Sequence, residues 1–225
     1  MSKKYACVPL WGWILMMIVS VLLYLYPQVD IAVSSRFYAG GEGFLQHGAL
    51  WERMLYRSVP IVLSATYVGA LLLWIYNRIR KENLYGFSGK KLLYLLFVGA
   101  LGSGIIVNAA LKDHWGRARP AQTIAFGGEK AFAPPFVFSD QGGKSFSSGH
   151  TSGAFALLAL IFLARRHRKR IAAAVIGYGL AVSLARIAAG GHFLSDVIVS
   201  IFIMYIVAAG LYRWMFGCEK ESYGV

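Results

Sequence analysis

The sequence predicts an all-α, polytopic membrane bundle of six transmembrane helices, organised as a single domain over residues 1–225. Three observations carry this. Hydrophobic residues make up 57% of the chain, its mean hydropathy is +0.55, and its apolar residues gather into runs parted by short charged tufts. A helix crosses a hydrocarbon core with about 20 apolar residues. Lipid offers no partner to backbone N–H and C=O groups, so such runs must satisfy them internally as helices.

The first run, 8–26, follows Lys3 and Lys4 and is longer than the apolar stretch of a cleaved leader. It is read as a retained helix, although Ala32 and Ser34 loosely imitate a cleavage site. Residues 43–57 place Phe44, Gly48, Trp51 and Leu55 on one side and Gln46, Arg53 and Arg57 elsewhere. That pattern suits either a helix lying on the outer membrane surface or a loosely packed loop. The next runs are 60–77, 92–111 and 151–164; the last is the shortest, and its start is expected to continue the helix outward. The fifth run, 171–189, carries Gly177, Ala181, Ala185 and Ala189 at four-residue spacing, a stripe that suits close helix packing. The sixth is 194–212.

Orientation follows from Lys and Arg. With the N-terminus inside, the inner segments hold 14 basic and three acidic residues, and the outer segments nine and seven. The positive-inside rule then puts both termini in the cytoplasm. The basic run 165–170 is read as a topology anchor. The net charge of +13 is scattered in tufts rather than laid along one face, so no nucleic-acid partner is expected. Cys7 and Cys218 fall near the inner face, where free structural thiols are expected.

Three polar clusters fall at span ends on the same outer side: 112–120 (KDHWGRARP), 147–150 (SSGH) and 186–196 (RIAAGGHFLSD). Charges at span ends are costly and call for a reason. Lys112, Arg119 and Arg186 would gather three positive charges around one point, and phosphate suits them: Arg offers a planar fork and Lys a point charge. His192 and Asp196 are four apart and share a helix face. A carboxylate bonded to one ring nitrogen leaves the other free to attack and stabilises the imidazolium that forms. Ser148 and Gly149 precede His150 at a helix start, where backbone N–H groups bind phosphate oxygens and His150 can act as general acid. The carboxylates of the outer face are scattered, so neither a metal nor another cofactor is expected.

Lys112 followed by Arg119-Pro120, then Ser148-Gly149-His150, then Arg186, His192 and Asp196, resembles the three signature motifs of the type 2 phosphatidic acid phosphatase superfamily. That resemblance implies a metal-independent reaction through a phosphohistidine. Its implied roles are His192 as nucleophile, Asp196 as its orienter, and His150 as general acid, with Lys112, Arg119, Arg186, Ser148 and Gly149 as phosphate binders. Two positions depart from the pattern: Ser147 stands where the family usually has Pro, and Ala185 where Ser usually precedes the Arg.

The stretches 112–120, 126–137 (FGGEKAFAPPFV) and 190–197 (GGHFLSDV) are further similar to bacterial lipid A 4′-phosphatases. This implies a bacterial inner-membrane enzyme with a periplasm-facing site and a lipid phosphate as its partner, and no obligate protein partner is evident. In the loop 121–146, aromatic residues either rest at the interface or pack on the bundle. Arg117, Lys130 and Lys144 are candidate headgroup contacts. The enzyme alternatives are an undecaprenyl-pyrophosphate or phosphatidylglycerophosphate phosphatase. A transporter or channel would instead need inverted repeats and broken mid-span helices, and no repeat is visible.

Overall fold

A computed structural model describes residues 4–5 and 8–217; Cys7 and Cys218 lie outside the described residues. A short antiparallel pair, β1 (Lys4–Tyr5) and β2 (Val8–Pro9), leads into helices. These are α1 (Leu10–Leu25), α2 (Gln28–Ser34), α3 (Leu50–Arg80), α4 (Gly89–Lys112), α5 (Gly149–Leu163), α6 (Arg168–Ala188) and α7 (Leu194–Phe216). The chain turns 86° between α1 and the helical segment Gln28–Phe37. Pro27 causes the break: a residue preceding proline is pushed out of helical geometry, and Tyr26 sits at φ −122°, ψ 58°.

Helices α3, α4, α6 and α7 are each long and apolar enough to cross a membrane, and the bent α1–α2 pair brings the number to five. Helix α5 is shorter, although it lies where the fourth apolar run predicts a span. In their apolar windows 44% of α6 and of α7 is buried against 6% of α3, so α6 and α7 form the centre and α3 a flank. Large side chains such as Ile61, Leu72, Ile79 and Trp214 are exposed, as they must be to meet lipid. The main core joins Tyr94 and Val98 of α4, Phe155 and Ala159 of α5, Val175 of α6, and Met204 and Ala208 of α7. The Tyr94 hydroxyl donates to the Ala208 carbonyl at 2.9 Å, so its buried polar end is satisfied.

Two expectations change. Within the segment 43–57, residues 50–57 form no separate helix; they are the first turns of α3, which runs on through Pro60 to Arg80. Proline inside a helix removes one hydrogen bond but need not end it. Here tertiary contacts hold the extension: the Ser58 and Tyr178 hydroxyls bond at 2.8 Å across α3 and α6, and Glu52 is buried. The predicted stripe on α6 holds only toward its end, where Ala185 and Ala189 are buried. Gly177 meets nothing within 4 Å, whereas a Cβ on Gly179 would fall 2.6 Å from Phe155. The buried face runs through Val175, Gly179, Val182, Ala185 and Arg186, which follows helical spacing but mixes small and large residues.

At the end of the bundle that carries the motifs, Phe44, Phe126 and Phe193 form a second core with Tyr38 and Phe132 against it. The aromatics of loop 121–146 therefore pack mainly inward. Phe138 is the exception, 71% exposed and stacked on Trp115.

Candidate active site

Helix α5 starts at Gly149, and the Ser148 hydroxyl caps it by accepting from the Thr151 N–H at 3.4 Å. The first N–H groups of α5 have no partner within their own helix, an arrangement suited to an oxyanion. A Cβ on Gly149 would fall 2.5 Å from Asn108 Oδ1 and 3.3 Å from Lys112 Nζ. Only glycine lets the end of α4 come this close, and it brings Lys112 against the start of α5. Lys112 Nζ lies 3.5 Å from Asn108 Oδ1.

His192 occupies the turn between α6 and α7 and is almost fully buried. Its Nδ1 lies 2.7 Å from the Ser145 carbonyl oxygen. A carbonyl can only accept, so Nδ1 carries the proton and Nε2 keeps its lone pair. Asp196 Oδ2 is 3.8 Å from Nδ1, farther than the direct bond the motif suggests. Instead Oδ2 accepts from the Ser145 hydroxyl at 2.6 Å and the Phe193 N–H at 2.8 Å. Asp196 thus holds the residue whose carbonyl orients His192, and adds its charge from just behind. Burial pushes the His192 pKa below its ordinary value; Asp196 opposes this, and Arg186 and Arg119 add to it.

Arg186, near the end of α6, donates to Glu52 Oε1 at 2.7 Å, an ion pair largely withdrawn from solvent. Its guanidinium lies 4.9 Å from the Tyr56 ring centre, and Tyr56 stacks on His150 at 3.9 Å. Among the described residues, buried Arg186 Nε has no hydrogen-bond partner, nor has the Ser147 hydroxyl. Buried donors of this kind are rare and need an account. A Cβ on Gly191 would fall 2.1 Å from Arg186 Nη2, so glycine is what lets the guanidinium lie across the turn. Lys112, Arg119, Arg186 and His192 all act electrostatically on His150, and Arg186 and Arg119 act on His192. The three clusters therefore meet at one end of the bundle.

Arg117 is not a headgroup contact. It is fully buried, bonded to Asp196 Oδ1 at 2.5 Å and to Asp30 Oδ2 at 2.7 Å. Its Nη1 also donates to the Ser195 hydroxyl at 2.8 Å, and its Nε to the Ala133 carbonyl at 2.9 Å. Burial opposes its charge, but Asp196 and Asp30 outweigh that and raise its pKa. A planar guanidinium with several fixed donors suits a site between two carboxylates. Lys130 is half-buried, its ammonium donating to the Gln141 carbonyl at 2.7 Å. Lys144 is exposed and pairs with Asp113 at 2.8 Å. Asp30, Glu52, Tyr56 and Ser145 were not singled out by sequence reasoning. Their chain positions lie far from the motifs they touch, and no local spacing marks them.

Chemically, the cluster joins an imidazole with a free nitrogen, a second imidazole, three basic side chains and a helix start. Such a set is suited to binding a tetrahedral oxyanion. Residues 91–220 match the PAP2 superfamily. Over 218 residues the chain is 32% identical to the lipid A 4′-phosphatase of Francisella tularensis subsp. novicida (strain U112), covering 90% of this chain and 92% of that one. It is 28% identical over 202 residues to the lipid A 4′-phosphatase of Rhizobium leguminosarum, covering 83% and 87%. The same identity is found with that of Rhizobium etli, over 83% and 79%. No solved structure matches the chain.

Proposed function

The chain belongs to the PAP2 superfamily, and from that premise we propose that it is an integral membrane phosphatase that removes the 4′-phosphate of lipid A through a phosphohistidine on His192. The observation that carries this reading is the His192 Nδ1 bond to the Ser145 carbonyl, which leaves Nε2 as a free base among cationic side chains. Relatives of nearly the same length, named for lipid A 4′-phosphatase, support the substrate.

In the proposed reaction, Lys112, Arg119, Arg186, Ser148 and the Gly149 backbone hold the phosphate oxygens. His192 Nε2 attacks phosphorus, the P–O bond to the lipid breaks, and His150 donates its proton to the departing oxygen. Asp196 stabilises the imidazolium charge from 3.8 Å. A water then gives its proton to His150 and attacks phosphorus, releasing phosphate and restoring His192. Catalysis is mainly positioning and charge stabilisation, and no step uses a metal. The bent α1–α2 pair and the short α5 would complete six spans, with both termini cytoplasmic and the site facing the periplasm of a bacterial inner membrane. The excess of basic residues at the opposite end supports that orientation.

The test is phosphate release by the purified protein from lipid A, undecaprenyl pyrophosphate and phosphatidylglycerophosphate, with mass spectrometry of the lipid A product. Loss of the 4′-phosphate, retained in EDTA and blocked by vanadate, is the expected result. Release from one of the other lipids alone would overturn the substrate, and a strict divalent-metal requirement would overturn the mechanism.

A further inference from the structure

At the end of the bundle away from His150 and His192, a cavity of about 880 Å³ opens between the start of α4, the end of α5 and the start of α6. This volume falls within the range of small-molecule sites, roughly 300–1,000 Å³. Its lining is of two kinds. Leu160, Leu163 and Ile171 give an apolar wall; Lys91, Arg165, Arg166 and His167 give a basic rim; among the described residues no acidic side chain lines it.

The pairing of charge differs sharply between the two ends. Around the histidines, Arg117, Arg186 and Lys144 each face a carboxylate within 2.8 Å. Lys91, Arg165 and Arg166 have no ion-pair or side-chain hydrogen-bond partner among the described residues. Lys91, on α4, and Arg165, in the bend between α5 and α6, lie close enough to repel each other. A topology anchor accounts for basic residues in the segment 165–170, but it needs neither a concave wall nor Lys91 brought in from α4. Like charges gathered at the mouth of an apolar hollow, where helices end at a bilayer surface, are complementary to one ligand class: an amphiphile with an anionic head.

We propose that this cavity binds a phosphate-bearing anionic lipid, its head ion-paired with Lys91, Arg165 and Arg166 and its chain lying on Leu160, Leu163 and Ile171. The site is separate from the proposed catalytic cluster. The proposal rests on the helices being membrane spans and does not depend on the phosphatase chemistry.

Native mass spectrometry of the full-length protein tests it, with phosphatidylglycerol, phosphatidylcholine and inorganic phosphate as probes. Wild type should retain phosphatidylglycerol over phosphatidylcholine, and millimolar inorganic phosphate should not displace it. The variant K91Q/R165Q/R166Q should lose that preference about tenfold or more, since each basic residue near an anionic lipid contributes substantially. Its phosphate release from lipid substrate should remain within about twofold of wild type. Equal retention of the two lipids by wild type, or displacement by inorganic phosphate, would overturn the proposal. Because removing three charges can disturb insertion, a photoactivatable phosphatidylglycerol should also be crosslinked to the wild-type protein. Labels are expected in peptides covering 84–91 and 160–171; labels spread evenly over the helices would count against the site.

Discussion

Arg117 and Asp30, 87 residues apart in the chain, form a buried ion pair at 2.7 Å. The same guanidinium bonds to Asp196, so α2 is tied through one side chain to the carboxylate behind His192. Ser195 closes the group by donating its N–H to Asp30 Oδ1 at 2.8 Å and its hydroxyl to Oδ2 at 2.5 Å. Breaking one partner of a buried pair strands the other and costs about 3–5 kcal/mol. Asp30→Ala is therefore expected to lower thermal stability in detergent by that order, whereas R36K at an exposed arginine should change it little. Unchanged melting of the Asp30 variant would mean that this pair is not formed.

Asp196 orients His192 largely through Ser145 and by charge. Asp196→Asn keeps the shape but removes the charge that stabilises an imidazolium, and loss of such a partner in other catalytic sets costs about 10⁴-fold in kcat. A fall of at least 10²-fold in kcat with normal membrane insertion is expected. His192→Ala should abolish phosphate release, and radiolabel from the substrate phosphate should no longer be trapped on the protein.

Glu52 holds Arg186 from α3. Glu52→Gln keeps a hydrogen-bond acceptor but removes the opposing charge, while Glu52→Ala removes both. Misplacing a binding group by about 1 Å can cost 10²-fold, so kcat/KM should fall modestly for Gln and by about 10–10²-fold for Ala. Equal activity of the two variants and wild type would show that Arg186 needs no anchor.

Gly191→Ala is the smallest change that should reach Arg186, because the added Cβ would lie 2.1 Å from Nη2. Activity should drop about tenfold or more. Gly177→Ala, where nothing lies within 4 Å, should leave activity near wild type. Steady-state phosphate release from the two variants side by side checks both expectations.

The proposed attack needs neutral His192, and burial, with Arg186 and Arg119, pulls its pKa below 6.5 while Asp196 resists. The neutral form is then kept as pH falls through 6.5 and lost only below it. The acidic limb of kcat/KM should have its midpoint below 6.5. In Asp196→Asn the opposing charge is gone, so the residual activity should show a limb shifted further toward acid. A limb at or above 6.5 in wild type would contradict the buried, neutral imidazole.

Much of the architecture could be read along the chain. Apolar runs mark the helices because hydrocarbon leaves the backbone no other way to satisfy its polar groups, and each of the six runs coincides with a helix. The boundaries of α3 could not be read, because Pro60 resembles a helix start and the ten residues before it are too polar to register as a span. The motif residues were visible because their spacing is local: His192 and Asp196 share a helix face, and Ser148 caps the helix it precedes.

The sequence by itself thus marked the helical membrane class, the motif residues Lys112, Arg119, His150, Arg186 and His192, and the chemistry proposed for them. Only the tertiary structure decided how each is held. Arg117 could be read as a solvent-facing cation until Asp30 and Asp196 were seen around it. Glu52 was one scattered carboxylate until it met Arg186 across 134 residues of chain. The His192 proton was assigned by a backbone carbonyl, at Ser145, that no side-chain pattern encodes. The physical reason is common to all three. Hydrophobic periodicity depends on neighbours in sequence, whereas the partner of a buried charge or ring nitrogen depends on which helices face each other after packing.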